Sequence, residues 1–348
     1  MGKIELDHTG SGSGITLSSD GTSLLLGGTA IGGSALELYA ENPSTPTNPT
    51  AGGNNSVAIG NNAVVTTAGS GSTGDKSIAI GHNSSVTNNN AIGAGRQANV
   101  SGAYASGFGY QATSAGTQSH AATKSYASGS NSFAAAMNTN SSSYGAQGLG
   151  SVVLGQNSKA TATRSFAIGA TCSSTGENSI TIGHNNTTSG FGAFAFGSRA
   201  TSAVRGKYAF AAGRFAADGD AQGGQFILRA DTTDATATVL TTNNNTAAAD
   251  NQIVAASDTC IMFSGTLVAM QNGAQDQGGW EIKGLLKNDG GTTTLVSSNI
   301  QTFADGNGWT VALTADNTNN ALAITCTGEA SHNIRWVANI STSEVTYA

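Results

Sequence analysis

From residue 151 the chain repeats one arrangement of apolar and small polar positions every 14 residues. Five copies run without a gap: SVVLGQNSKATATR (151–164), SFAIGATCSSTGEN (165–178), SITIGHNNTTSGFG (179–192), AFAFGSRATSAVRG (193–206) and KYAFAAGRFAADGD (207–220). The fifth position holds Gly155, Gly169, Gly183 and Gly197, and Ala211 in the last copy. A short fixed period of this kind signals stacked, near-identical units. Side chains alternate between faces along a strand, so Phe166 and Ile168 point one way and Ser165, Ala167 and Gly169 the other. One face is bulky and apolar, the other small, and neither is charged. Both faces therefore call for cover, one of them from the chain's own coil. The small face suits close approach of another backbone, from the next layer or from a sister chain. Fourteen residues fit one coil of two short strands and two tight bends, with Gly, Asn and Ser supplying the bends. Such coils stack by strand pairing at roughly 4.8 Å per layer.

The signature recurs upstream with less regularity. SVAIG (56–60) and SIAIG (77–81) are clean copies, followed by NNAIG (89–93) and AYASG (103–107), whose glycines step by 21, 12 and 14 residues. The stretch TTAGSGSTG (66–74) reads as a loop pushed out of the stack. Between residues 110 and 150 the pattern blurs, which implies either irregular bends or a neck. Residues 56–220 would make about twelve coils with an interior of Ala, Ile and Val.

The flanks differ in character. Residues 1–40 hold two short alternating runs, Lys3–Leu6 and Ile15–Leu26, and Asp20-Gly21 between ITLSS and TSLLL is a hairpin signal. Their apolar content favours an attachment element over a disordered tail. Residues 41–55 contain Pro43, Pro46 and Pro49 and read as an extended linker ahead of a repeat shaft at 56–223. Residues 224–348 carry eight strand-like runs: 225–228, 236–240, 259–270, 280–286, 293–296, 310–313, 321–327 and 334–345. Turn clusters such as Asn288-Asp289-Gly290-Gly291 separate them. That spacing predicts an antiparallel β-sandwich of about one core.

Composition adds three constraints. With 48 Gly and 10% charged residues among 348, a single thin coil buries a meagre core. Several chains together bury more, so a homotrimer is expected. The formal charge of −6 is uneven: residues 1–224 hold ten basic and nine acidic residues, and 225–348 hold four and eleven. Without a basic patch interleaved with aromatics, nucleic acid is not an expected partner. There is no run of about 18 apolar residues, and MGKIELDHTGSGSG has no apolar core of a secretory signal, so no membrane insertion is expected. Cys172, Cys260 and Cys326 read as small apolar residues, with a Cys260–Cys326 bond as the alternative.

Candidate chemistry is sparse. Polysaccharide cleavage needs two carboxylates about 5–9.5 Å apart. Between residues 51 and 217 the only acids are Asp75 and Glu177, so no catalytic residues are assigned and the chain is expected not to be an enzyme. Asp231, Asp234, Asp305 and Asp316 sit in turn-like sequence, with a weak calcium site as the alternative. His82 and His184 each follow the repeat glycine and read as bend residues; the sharper alternative is a metal held on a three-fold axis. No metal or cofactor is assigned. Trp280, Trp309 and Trp336 read as core, with a sugar-stacking platform as the alternative. Trp280, Trp309, Asp305 and Asp289, with loops 271–279, 288–291 and 304–308, form the candidate receptor-contact set.

The S-x-A-I-G pattern at 14-residue spacing resembles the head repeats of YadA-type trimeric autotransporter adhesins. That resemblance implies a trimer of left-handed parallel β-rolls. The wider layout resembles a bacteriophage tail fibre of the marine or cyanophage kind, with an N-terminal virion-anchoring segment, a repetitive shaft and a distal sandwich. It departs from the autotransporters in showing neither a signal peptide nor an anchoring barrel. The expected whole is all-β: a trimeric β-roll shaft of about 14-residue coils followed by an antiparallel β-sandwich. It would be a virion fibre assembled in the host cytoplasm, joined to a tail, collar or baseplate protein at its N-terminus. Its C-terminal region would meet a host-surface glycan or protein. A bacterial adhesin head lacking its anchor and a capsule-depolymerising tail spike are the alternatives.

Overall fold

Each copy of the repeat closes into one coil of a parallel β-solenoid. The computed structural model describes residues 4–6, 15–19, 24–26, 29–31, 47–66, 75–273, 276–305 and 308–347, which form strands and bends without any α-helix. The chain divides into two compact units, Met1–Lys124 and Ser125–Ala348.

The first unit begins with a four-stranded antiparallel meander of Ile4–Leu6, Ile15–Ser19, Leu24–Leu26 and Thr29–Ile31. Ser19 pairs with Leu24, as a hairpin there requires, while Asp20-Gly21 lies outside the described residues. The coils then begin earlier than expected. Thr50–Ala51, inside the proline-containing segment, pairs in parallel with Val64–Val65. Asn61 Oδ1 accepts the Thr47 N–H at 2.8 Å and ties that segment to the next bend. Longer strands stack at Val57–Ile59, Ile78–Ile80, Ile92–Ala94, Ser106–Phe108 and His120–Ala121. The step from Val57 to Ile78 is 21 residues, and the loop that accounts for it, 67–74, lies outside the described residues.

The next steps, Ile78 to Ile92 to Ser106, are each 14, which corrects the sequence alignment. Gly95 and Gly109 stand in the column of Gly60 and Gly81, whereas Gly93 and Gly107 occupy the inward column of Ala79. The reason is volume. Val86 and Val100 fill the coil from the opposite strand, and a Cβ on Gly107 would lie 2.8 Å from Val100 Cγ2.

The second unit stacks Phe133–Ala135, Val152–Leu154, Phe166–Ala170, Ile180–His184, Phe194–Ser198 and Tyr208–Ala212 in parallel. Pairing of Ala127 with Ala146 and of Phe133 with Val152 shows one step of 19 residues. The blurred sequence within 125–150 is therefore a widened bend. In both units a residue with positive φ recurs every seventh position, as at Asn83, Asn90, Gln97, Tyr104, Gln111 and Gln118, and again at Asn157, Arg164, Thr171, Asn178 and Asn185. Each coil is thus two seven-residue halves, each a short strand closed by a left-handed residue, for which Asn is well suited.

Small side chains line the coil interior. Ala79, Ala91, Ala134, Ala167, Ala195, Ser77, Ser165 and Ser179 are buried. Inward serines also satisfy backbone groups: Ser158 Oγ donates to Gly169 O at 3.0 Å and accepts Cys172 N–H at 3.0 Å. The expected interior isoleucines point outward instead, because the narrow space between the two strands of one coil is filled chiefly by Ala, Ser, Thr, Val and Cys, with the buried Asn186 in the column of Ser158 and Cys172.

In the C-terminal region we number nine strands: β1 Ala221–Thr232, β2 Thr238–Val239, β3 Ile253–Val254, β4 Thr259–Gln271, β5 Gln277–Asp289, β6 Thr292–Asp305, β7 Thr310–Asp316, β8 Ala321–Thr327 and β9 Ile334–Thr346. All eight expected runs are strands; the two-residue β3 is the addition. One antiparallel sheet runs β6-β5-β4-β9-β1, and a smaller one joins β8 to β2, β3 and β7. Their inner faces share one core that includes Phe226, Phe263, Leu267, Ile282 and Trp336 from the larger sheet and Leu240, Ile253, Leu322, Ile324 and Cys326 from the smaller. This is the expected antiparallel pair of layers.

No linker separates coils from sandwich: Tyr208, Ala209 and Phe210 of the last coil pair directly with Gln225, Gly224 and Gly223 of β1. Lys207 Nζ lies 2.6 Å from Glu344 Oε2, both side chains nearly buried, and Gln222 Nε2 donates to the same oxygen at 2.8 Å. Beside them, the backbone N–H groups of Phe215, Ala216 and Ala217 donate to the Asp220 carboxylate at 2.9, 2.6 and 2.8 Å.

Two outcomes follow from this packing. A Cβ on Gly169, whose φ is +120°, would sit 2.0 Å from Gly183 O. Gly169→Ala is expected to destabilise the second unit by ~1–3 kcal/mol, read as a lower melting temperature. At Asp220, burial opposes ionisation, but the three backbone donors and Arg214 hold its carboxyl below the ordinary 3.8. A depressed carboxyl contributes stability above its unfolded pKa and loses it as pH falls through the folded value. Melting of the native protein should therefore fall as pH drops below 3.8, and Asp220→Asn should lower the neutral melting point and flatten that acid limb.

Candidate functional site

Because the coil interior accepts only small residues, the bulky member of each pair faces outward and forms a continuous ladder. In the second unit this ladder is Phe133, Val152/Leu154, Phe166/Ile168, Ile180/Ile182, Phe194/Phe196 and Tyr208/Phe210, each directly above the last. The rings are in contact, Phe194 and Tyr208 stacked with centroids 5.1 Å apart and Phe196 and Phe210 tilted at 4.7 Å. Exposure of Phe196 at 40% and Phe210 at 47% marks a face that one chain leaves half wet. Pairing of the last coil with β1 carries the face onto the larger C-terminal sheet, where Ile227, Val337, Val268 and Met270 are exposed. The first unit repeats the ladder with Val57/Ile59, Ile78/Ile80, Ile92 and Phe108.

One rung of the first unit departs from the pattern. His120 occupies the apolar column, 5.6 Å from the Phe108 ring centroid, and its Nδ1 shares a 2.7 Å hydrogen bond with Ser106 Oγ. Burial lowers the imidazole pKa, favouring the neutral ring. The two residues lie 14 positions apart, so the repeat spacing was the signal that could have found them. Nearby, Arg96 and Lys124 both lie over the Tyr110 ring, at 5.5 and 5.8 Å. His82 is exposed in a turn and His184 is exposed at the end of the strand Ile180–His184, beside Asn185 at 3.3 Å. Among the described residues no group of three His, Cys, Asp or Glu converges as for a metal.

The structure divides the expected receptor-contact set. Trp280, Trp309 and Trp336 are buried and pack together, with centroids 5.5 Å apart for Trp280–Trp336 and 5.6 Å for Trp309–Trp336. The platform role of Trp280 and Trp309 is corrected to a core role, since their inward register leaves no ring face for a sugar. Asp289 is exposed at the β5 end, 2.8 Å from Lys287 Nζ, and that hydrogen bond lowers its carboxyl pKa. Asp305 closes β6, and its carbonyl accepts the Trp309 N–H at 2.7 Å. Asp234 and Asp316 accept backbone N–H groups of Thr236 and of Thr318 and Asn319, which are turn roles. Cys172, Cys260 and Cys326 are free thiols; burial pushes Cys326 up to about 12. In residues 224–348 the exposed aromatics among the described residues are instead Phe303, near the end of β6, and Tyr347, just past β9.

Trp280→Ala should therefore act on folding rather than on surface contact. A loss of ~3–5 kcal/mol in denaturant unfolding is expected, the range for emptying a buried aromatic site.

Comparison with known proteins bears on the coils. The family described as the YadA head domain repeat matches residues 50–70, 72–98, 146–171 and 174–200, together less than a third of the chain. No curated protein sequence matches the chain. The coils in both units are thus similar to adhesin head repeats, and the matched segments coincide with the stacked strands described above.

Proposed function

We propose that the chain is the subunit of a homotrimeric attachment fibre, in which the outward apolar ladders of three copies face one another. The observation that carries this reading is the ladder itself: bulky apolar residues hold one outward column through successive coils of the second unit. A face of that length and apolarity needs a partner of matching period, and a second copy of the chain has that period. The match to adhesin head repeats supports an adhesive role for the coils.

Within that role we read the chain as a phage tail fibre. Residues 1–40 would join a tail, collar or baseplate protein, and residues 224–348 would meet a glycan or protein on the host surface. The fibre would assemble in the host cytoplasm, sit on the virion and cut nothing. Three linked tips would raise avidity over a single weak site. The adhesin-type repeat favours a second reading equally: the head of a bacterial surface adhesin.

Sedimentation analysis should give three times the chain mass for the wild type, and Phe196→Asp should lower the oligomeric state; a wild-type monomer would sink the trimer. Antibody labelling of virions at the tail supports the phage reading, and labelling of the bacterial surface supports the other. Removal of residues 224–348 should leave soluble trimers that no longer adsorb to cells. Release of reducing sugar from host envelope by the purified protein would replace the binding role with a catalytic one.

A further inference from the structure

One end of the larger C-terminal sheet holds a cleft of about 650 Å³, within the roughly 300–1,000 Å³ range of ligand pockets. Three adjacent strands supply it: Asp231, Thr232 and Thr233 from the end of β1, Met270 to Gly273 from the end of β4, and Asn333 to Arg335 from the start of β9. The register sets Gln271 opposite Ile334 and Ile334 opposite Thr232, so the three strand ends lie side by side. Backbone bonding fixes the rim, with Asn272 N–H donating to Asn333 O at 2.9 Å.

The chemistry of the lining is that of a polyhydroxyl ligand. Side-chain amides of Gln271, Asn272 and Asn333 and the hydroxyl of Thr233 offer donors and acceptors together, which matches sugar hydroxyls that both donate and accept. The two charges present neutralise each other: Arg335 Nε lies 3.3 Å from Asp231 Oδ1, and Asn244 Nδ2 donates to Asp231 Oδ2 at 2.8 Å. The second observation concerns Gln271. It continues the inward series Ile261, Phe263, Leu267 and Ala269, where the core otherwise takes apolar residues, and is 7% exposed. Its Oε1 is buried and has no hydrogen-bond partner among the described residues. An amide acceptor in that position costs stability unless a ligand donor reaches it.

We propose that this cleft binds a neutral saccharide through Gln271, Asn272 and Asn333. The inference rests on the reading that residues 224–348 make the surface contact, and gives that contact a site and a ligand class. Of the sequence-derived contact set, Trp280, Trp309, Asp305 and Asp289 do not line it, whereas Gln271, Asn272 and Gly273 of loop 271–279 do.

The test uses the full chain on an array of neutral gluco-, galacto-, manno- and N-acetylglucosamine di- and trisaccharides, with sialylated and uronate glycans alongside. Retention of a neutral glycan is expected. Asn272→Ala and Asn333→Ala, both at exposed positions, should each weaken it by about tenfold or more. Gln271→Met should also lose the glycan while its melting temperature holds or rises, because it removes an unpartnered polar atom from a buried place. The inference is overturned if no neutral glycan is retained, if only acidic glycans are, or if all three variants bind as the wild type does. Adsorption to host cells separates the two readings. Cells bound equally by wild type and variants would sink the cleft and leave attachment standing. A glycan bound through the cleft by a chain that adsorbs to no cell would do the reverse.

Discussion

The separation between the two strands of a coil sets the rest of the structure. It is filled chiefly by Ala, Ser, Thr, Val and Cys, and by Asn186 in one coil. Where Val86 and Val100 intrude, the facing positions shrink to Gly93 and Gly107. Where small hydroxyls fill the space, they bond one another, as Thr181 and Thr188 do at 2.7 Å and Ser174 and Ser179 at 2.7 Å. An interior this small buries little apolar area per coil. The bulk that a core would normally enclose is displaced to the outer face, and the coil acquires its apolar side there.

That displacement joins architecture to role. A ladder of Phe, Ile, Leu and Tyr repeated in one column is a poor surface for an isolated chain and a good one for a periodic partner. The stack of coils runs directly into the larger sheet of the sandwich, because the last coil pairs with β1 and the nearly buried Lys207–Glu344 contact ties the corner, but the apolar column stops there, where Tyr208 and Phe210 meet Gln225 and Gly223. The second unit therefore presents one face of apolar contact and, at the strand ends of β1, β4 and β9, a polar cleft of different chemistry. His120, paired with Ser106, marks the rung of the first unit where the apolar column turns polar.

Much of this was legible before any coordinates. The 14-residue beat identifies coils of two strands and two bends, and the eight apolar runs after residue 224 identify the strands of the sandwich, since both signals depend only on local alternation. The alternation of Phe166 and Ile168 against Ser165 and Ala167 separated the two faces correctly. The expectation of an interior that includes Ile was wrong, because alternation carries no sense of which face lies inside. The glycine count misplaced two copies by two residues, since glycine serves two columns for two reasons: left-handed backbone at Gly95 and lack of room at Gly93.

The proposed contact surface was the least legible part. Trp280 and Trp309 are large aromatics next to turns, and only the pleat and register of β5 and the loop after β6 turn them inward against Trp336. The expected contact loop 271–279 supplies Gln271 and Asn272 to the cleft, whereas Asn333 and Thr233 come from strand ends 100 residues apart, with no spacing to betray them. Local sequence determined the coil, its period and its bends, because strand alternation and turn propensity act over a few residues. Tertiary structure alone decided which face the coil encloses, where the tryptophans point and which strand ends meet at the cleft, because volume exclusion and sheet register are set between residues far apart in the chain.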